Sequence, residues 1–319
     1  VFLGSVATTA CNPSRPEQAW DPTPEVVREA PTGEFTDGGA DQGGGMAPPP
    51  ANLPPGGDGG VPVDPKLAKL LGYYYLRADI EGVISETQVG ITVSVFNRVT
   101  HFSVTQLYQD GNAIKALERP CHLLYEHTCR QGCNSFSTTI APGAVPLMRT
   151  KDLTRTYELT DQGGFLTNAV GLGLGWDGPT SSVPTSLSSP GVWDHNRDGA
   201  PDAMLVQVSI RGLPRGPFGS GSDSLDCFFN MAELFNSAYL GKLEDGSLDG
   251  VSGRMDLSGS AINTLAWAPS SESNCAPTER NTTTTDTFRF ARIADKDYDE
   301  DAFWGCPSAA EFRAKLPNP

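Results

Sequence analysis

Basic charge is scarce in this chain. Lys and Arg number 23 against 38 Asp and Glu, a formal charge of −15. Nucleic-acid binding through a basic face is excluded, because Lys and Arg supply the phosphate contacts that carry such affinity. Electrostatic docking on anionic lipid is excluded for the same reason. Histidine is scarcer still, with four residues: His101, His122, His127 and His195. Serine is plentiful, yet G-x-S-x-G does not occur, and FGSGSDS (218–224) lacks the strand–turn–helix setting of a nucleophile elbow. There is no P-loop and no dinucleotide fingerprint. HLLYEH (122–127) misses the H-x-x-E-H order by one residue, so His122, Glu126 and His127 would not converge on a metal. Acid pairs for glycoside hydrolysis can be assembled from Asp79, Glu81 or others, but nothing in the sequence selects them over exposed strand carboxylates. The chain has no catalytic motif and leans away from catalysis.

Cysteine is present in an odd number, seven: Cys11, Cys121, Cys129, Cys133, Cys227, Cys275 and Cys306. The first closes VFLGSVATTAC, an apolar and small-residue stretch that resembles the end of a secretory signal peptide. More specifically it resembles a bacterial lipobox, with Thr8 where Leu is usual. That resemblance implies that residues 1–10 are residual signal peptide and that Cys11 carries lipid. Asn12 follows where an Asp would retain a lipoprotein at the inner membrane, which leans the expectation toward the outer membrane or cell surface. Six cysteines then remain for three disulfides, with fifteen pairings open. The close trio Cys121, Cys129 and Cys133 is expected to contain one local bridge. Zinc ranks below disulfide for CHLLYEHTCRQGC (121–133), because the C-x7-C-x3-C spacing lacks a paired knuckle and an exported protein meets oxidising conditions.

Residues 12–65 hold 12 Pro and 10 Gly in 54 positions. That exceeds the roughly 25–30 per cent at which Pro plus Gly marks low complexity. Such a stretch cannot bury enough apolar surface to offset chain entropy, so residues 11–65 are expected to be a disordered, lipid-anchored linker. Its typical reach is roughly 40 Å.

Residues 66–319 read mostly as β. Tyr74, Leu76, Ala78 and Ile80 alternate along Tyr73–Ile80, as do Val89, Ile91, Val93 and Val95 along Gln88–Val95. Met204, Val206, Val208 and Ile210 repeat the pattern, and Phe288 and Phe290 sit in another strand. Turn signals fall at Asp110-Gly111, at Asp161-Gln-Gly-Gly and at Asp245-Gly246. Phe228–Leu240 is ambiguous between strand and helix. Residues 134–193, rich in Gly, Ser, Pro and Thr, read as long loops. Ser308-Ala-Ala-Glu311 has the form of a capping box, with Phe312 and Leu316 one turn apart on the following helix. YLRADIEG (75–82) is similar to LVQVSIRG (205–212), as repeated halves would be, and as any two amphipathic strands are. The expected fold is a single antiparallel β-barrel or β-sandwich domain with long loops and a short C-terminal helix.

The richest stretch is WDHNRDGAPD (193–202). Asp194, Asn196 and Asp198 alternate, Gly199 permits a sharp turn, Ala200 offers a carbonyl and Asp202 a further oxygen. An apolar strand follows. Calcium suits such a set, because it takes six to eight hard oxygen ligands in tolerant geometry. The bidentate Glu of an EF-hand is absent, since Leu205 stands there. The spacing D-x-N-x-D-G-x-x-D resembles the calcium loops of FG-GAP repeats and the first half of dockerin loops. The resemblance implies calcium ligation by Asp194, Asn196, Asp198, Ala200 and Asp202, and implies neither the propeller nor dockerin pairing. The run DKDYDED (295–301) repeats the alternation without the glycine and reads as a solvated acidic loop.

These features converge on an exported bacterial lipoprotein of the cell envelope, with a calcium-stabilised, disulfide-bonded β domain in a binding or structural role. Its membrane partner is reached through the lipid anchor, and a small-molecule, glycan or protein ligand is left open. The alternatives are a secreted glycan- or peptide-acting hydrolase and a subunit of an extracellular assembly.

Overall fold

A computed structural model describes residues 68–88, 91–141, 144–176, 191–193, 204–214, 222–256, 262–267 and 281–317. The expected linker therefore lies outside the described residues. In chain order the strands are β1 (Gly72–Gln88), β2 (Ile91–Asp110), β3 (Ala113–Gln131), β4 (Cys133–Ile140), β5 (Leu153–Leu159) and β6 (Gly164–Thr167). There follow β7 (Val170–Leu174), β8 (Met204–Pro214), β9 (Ser222–Lys242), β10 (Ser252–Asp256), β11 (Ile262–Trp267) and β12 (Asn281–Ile293). The short helices are α1 (Ala144–Met148), α2 (Glu300–Trp304) and α3 (Ala309–Lys315). All strand pairings are antiparallel.

The long strands β1, β2 and β3 form a meander. Tyr74, Leu76, Ala78 and Ile80 are all buried, as their alternation predicts. The β2–β3 reversal sits at Asp110-Gly111, where Asp110 pairs with Ala113 and Gly111 adopts φ 59°. A two-residue hairpin turn calls for that left-handed backbone. The strand expected over Gln88–Val95 is not continuous. Gln88 ends β1 and pairs with Ile91, the first residue of β2. Paired residues face the same side, so inward positions change from even numbers in β1 (Leu76, Ala78, Ile80) to odd numbers in β2 (Val93, Val95, Val99). Val93 and Val95 are buried, as expected.

Eight strands close into a barrel in the order β1–β2–β3–β5–β6–β9–β10–β12 and back to β1. A barrel of about eight strands is just wide enough for side chains to fill. Tyr74, Tyr157, Phe165, Tyr239, Phe288 and Phe290 pack against one another there, with ring centroids 5.2–6.4 Å apart among the paired rings. Gly241 and Gly253 make room for the Phe288 ring. A Cβ would lie 2.9 Å from its Cζ at Gly241 and 2.5 Å at Gly253. Phe228–Leu240 resolves as strand, within β9.

The same β9 continues into a second sheet. Its N-terminal half pairs with β8, β7 and β11, and β8 pairs with β4. Val206, Val208, Ile210 and Met231 from this sheet join Val93, Val95 and Val99 in one core. Residues 134–193, read as long loops, supply β4, β5, β6, β7 and α1. Apolar residues in these strands are sparse or interrupted by Gly, Ser and Thr, and β5 carries Arg155 at an inward position, so their alternation is weak. The similar octapeptides fall in different places, the first in the barrel wall and the second in the additional sheet.

The outer face of β1–β3 is covered by the C-terminal segment. Phe102, Val104 and Cys121 pack with Phe303, Trp304, Phe312 and Leu316. Ser308 and Glu311 form the expected capping box at the start of α3. Full burial of Phe312 contributes about 2 kcal/mol. Two buried guanidinium groups hold the helix ends. Arg77 pairs with Asp79 and donates to the Leu316 carbonyl at 3.2 Å; Arg119 pairs with Asp152 and donates to the Trp304 carbonyl at 2.8 Å. A cation at a helix C-terminus satisfies orphan carbonyls and complements the helix dipole. Among the described residues no helix is long and apolar enough to cross a membrane.

Candidate functional site

The proposed calcium ligands Asp194, Asn196, Asp198, Ala200 and Asp202 lie outside the described residues, but both ends of their loop are described. At the N-terminal end, Val192 bridges to Trp176, and the Trp193 amide donates to the Gly175 carbonyl at 3.0 Å. The Trp193 ring packs on Ala141 and Ala144. Lys151 lies 4.6 Å from the centre of that ring and donates to the Trp176 carbonyl. At the C-terminal end the chain enters β8 at Met204 as the sequence anticipates, and Val206, Val208 and Ile210 are buried. The loop thus spans two anchored points, one beside α1 and one on the second sheet.

Cys121 is bonded to Cys306, and Cys129 to Cys133. The second is the local bridge expected within the trio. The first joins β3 to the C-terminal segment. Cys227 lies in β9 opposite Val208, while Cys11 and Cys275 fall outside the described residues. The two histidines of the cysteine-rich stretch are engaged elsewhere: His122 Nε2 bonds with the Pro307 carbonyl at 2.7 Å, and His127 Nε2 with the Thr138 hydroxyl at 2.9 Å. Among the described residues no cluster of three His, Cys, Asp or Glu is arranged to hold a metal.

The acidic run near the C-terminus is structural in part. Asp295–Asp297 forms a single 3-10 turn, and the Asp299 carboxylate caps α2 by accepting from the Ala302 amide at 2.9 Å. Beside it is an open cleft of about 350 Å³, lined by Tyr75, Asp297, Tyr298, Asp301, Ser308 and Glu311 among others. Burial pushes the phenols of Tyr75 and Tyr298 up, so both stay neutral donors. The Glu311 carboxyl is held below its usual range by the Ser308 hydroxyl and amide. Carboxylates beside aromatic rings suit a cationic or hydroxyl-rich ligand.

A second polar group was not anticipated at all. Arg155 projects into the barrel, 1 % exposed, and its Nε meets Glu118 at 2.7 Å. The same guanidinium donates to the carbonyl and hydroxyl of Ser237 and to the hydroxyl of Tyr239. Tyr239 in turn donates to Glu118 at 3.3 Å. Burial works against the Arg155 charge, but Glu118 more than offsets it, and the guanidinium stays above its ordinary pKa. Burial likewise raises Tyr157 and Tyr239. A cavity of about 20 Å³ opens among these groups, lined also by His101 and Ser103. That is room for about one water molecule. The signal was present in parity: Leu153, Arg155 and Tyr157 share one face of β5, and Ile114, Ala116 and Glu118 share one face of β3. An Arg on an apolar face opposite a Glu on another is a buried pair once the strands adjoin. Strand adjacency was the missing information. Comparison of the whole chain with protein-family models, curated proteins and solved structures finds no match.

Proposed function

We propose that this is an exported, lipid-anchored protein of the bacterial cell envelope, in a binding or structural role. Cys11 would carry the lipid, residues 12–65 would space the domain from the outer membrane or cell surface, and calcium would hold the 194–202 loop. The observation that carries export is the pair of disulfides, because such bonds persist in oxidising compartments. The anchored ends of the acidic loop support the calcium reading, since a bound ion would neutralise clustered carboxylates between two points already held. The cleft beside Tyr75 and Tyr298 is the concavity through which a cationic or hydroxyl-rich ligand would engage.

Two measurements test this. Cys11→Ser is expected to abolish incorporation of labelled palmitate and release the domain into the soluble fraction; unchanged membrane retention would remove the anchor. Adding calcium at about 5 mM is expected to stabilise the fold by about 1–2 kcal/mol, given an affinity of about 10⁻⁴–10⁻³ M typical of extracellular modules. Chelator and Asp198→Ala should each eliminate the shift. A melting temperature indifferent to calcium in the wild type would demote the loop to an ordinary acidic turn.

A further inference from the structure

His101 stands on β2 with its ring edge-on to Phe235, centroids 4.5 Å apart. Its Nε2 is buried and has no hydrogen-bond partner. A buried polar atom without a hydrogen bond is costly, because it has lost its water and gained no partner. The ring lines the small cavity that also holds Arg155 and Glu118. The charged and titratable groups around it come from four strands. Asp79 on β1 belongs to the opposite face, where Arg77 and Thr100 bind its carboxylate. Glu118 on β3 has one oxygen on Arg155 and the other on Tyr239. Arg155 and Tyr157 come from β5, and Tyr239 from β9. Neither phenol can supply a negative charge near neutrality, because burial raises both. Each Glu118 oxygen thus already accepts a bond, and Glu233, on the same face of β9 as Phe235, accepts from the Tyr125 hydroxyl.

We propose that His101 is an acid-operated release within the barrel: protonation at the unpartnered Nε2 puts a second buried cation in a cavity whose lining carboxylate, Glu118, is paired with Arg155, and loosens the closed ring. The chemistry is a single proton uptake from solvent and needs no other reactant. Burial pushes the imidazole down to about 4; Asp79 opposes it, and Arg155 adds a smaller downward push. The sign follows directly. Above the unfolded value of 6.5 both states are neutral and stability is complete; as pH falls toward 4 only the unfolded chain takes the proton, and stability is lost. The full difference of about 2.5 units is a factor of about 300 in the folding equilibrium.

Two experiments decide the matter. The first follows the ring signals of the four histidines by NMR titration of the intact chain. The signal assigned through His101→Gln should titrate below pH 5, or shift only as the protein unfolds. A His101 that titrates near 6.5 in the folded state overturns the proposal. The second compares unfolding of wild type and His101→Gln between pH 7 and pH 4.5. The wild type should lose roughly 60-fold of folding equilibrium beyond what the variant loses, because the carboxylates common to both cancel. Equal losses overturn it as well. Should His101→Gln not fold, His101→Phe serves the comparison and the wild-type titration still stands.

Discussion

Replacing Arg155 by Met is expected to cost about 3–5 kcal/mol of folding free energy, because it strands the Glu118 carboxylate inside the barrel without its partner. Glu118 is 3 % exposed, and the roughly one water that the adjoining cavity admits does not replace a charged guanidinium. The companion loss is the set of donors that Arg155 gives to Ser237 and Tyr239. Replacing Arg155 and Glu118 together, by Met and Leu, is expected to cost far less than the sum of the two single changes. An apolar pair of similar volume removes the desolvation of both charges at once. Urea unfolding of the wild type, the two single variants and the double variant closes the thermodynamic cycle. Strictly additive losses would mean that the two groups do not stabilise each other. The pair would then be a tolerated defect in the core.

The second large effect lies at the other face of the same sheet. Removing the Cys121–Cys306 bridge, as Cys121→Ala with Cys306→Ala, is expected to lower stability by about 2–5 kcal/mol. The bridge spans 185 residues, so its loss frees most of the folded chain's length in the unfolded ensemble. For a domain of this size that corresponds to a fall of roughly 5–15 °C in melting temperature. The Cys129–Cys133 bridge spans a separation of four, and its removal is expected to cost less, about 2 kcal/mol by loop entropy. Hydrogen exchange gives the spatial readout. Without Cys121–Cys306, protection should fall first in α3 and in the outer face it covers, while β9 and β12 in the barrel keep theirs. Arg77 and Arg119 still hold the helix ends in that variant, so detachment should be partial. A greater loss from Cys129→Ala with Cys133→Ala would contradict this account of the C-terminal segment.

Much of the architecture was legible because period-2 alternation is a local property. The inward set Tyr74, Leu76, Ala78 and Ile80 and the set Val206, Val208 and Ile210 needed only their own segments to be read. Turn chemistry was equally local. Asp110-Gly111 makes the β2–β3 reversal, and Asp245 with Gly246 adopts φ 49° and 75° in the turn between Glu244 and Ser247. The capping box before Phe312 formed as written, since its partners are three residues apart. The failures share the opposite property. The break between Gln88 and Ile91 was marked only by a change of parity, from the even set Leu76, Ala78 and Ile80 to the odd set Val93 and Val95, and the strand expected over Gln88–Val95 ran across it. The strands β5, β6 and β7 were read as loops because Arg155 interrupts the apolar face of β5 and Gly dilutes those of β6 and β7, and their pairing with β3 and β9 makes them strands.

The amino-acid sequence by itself determined the composition-dependent properties: the acidity, the six cysteines beyond Cys11, the mostly antiparallel β character, the capped C-terminal helix and the oxygen-rich spacing of residues 194–202. Each follows from residue type and short spacing. Only the tertiary structure decided that β9 serves two sheets, that Cys121 reaches Cys306, that Arg77 and Arg119 grip the ends of the last helices, and that Arg155, Glu118 and His101 meet inside one closed barrel. Those contacts join residues tens to hundreds of positions apart. Their strength comes from excluding water when the ring closes, a condition that no single segment of the chain can express.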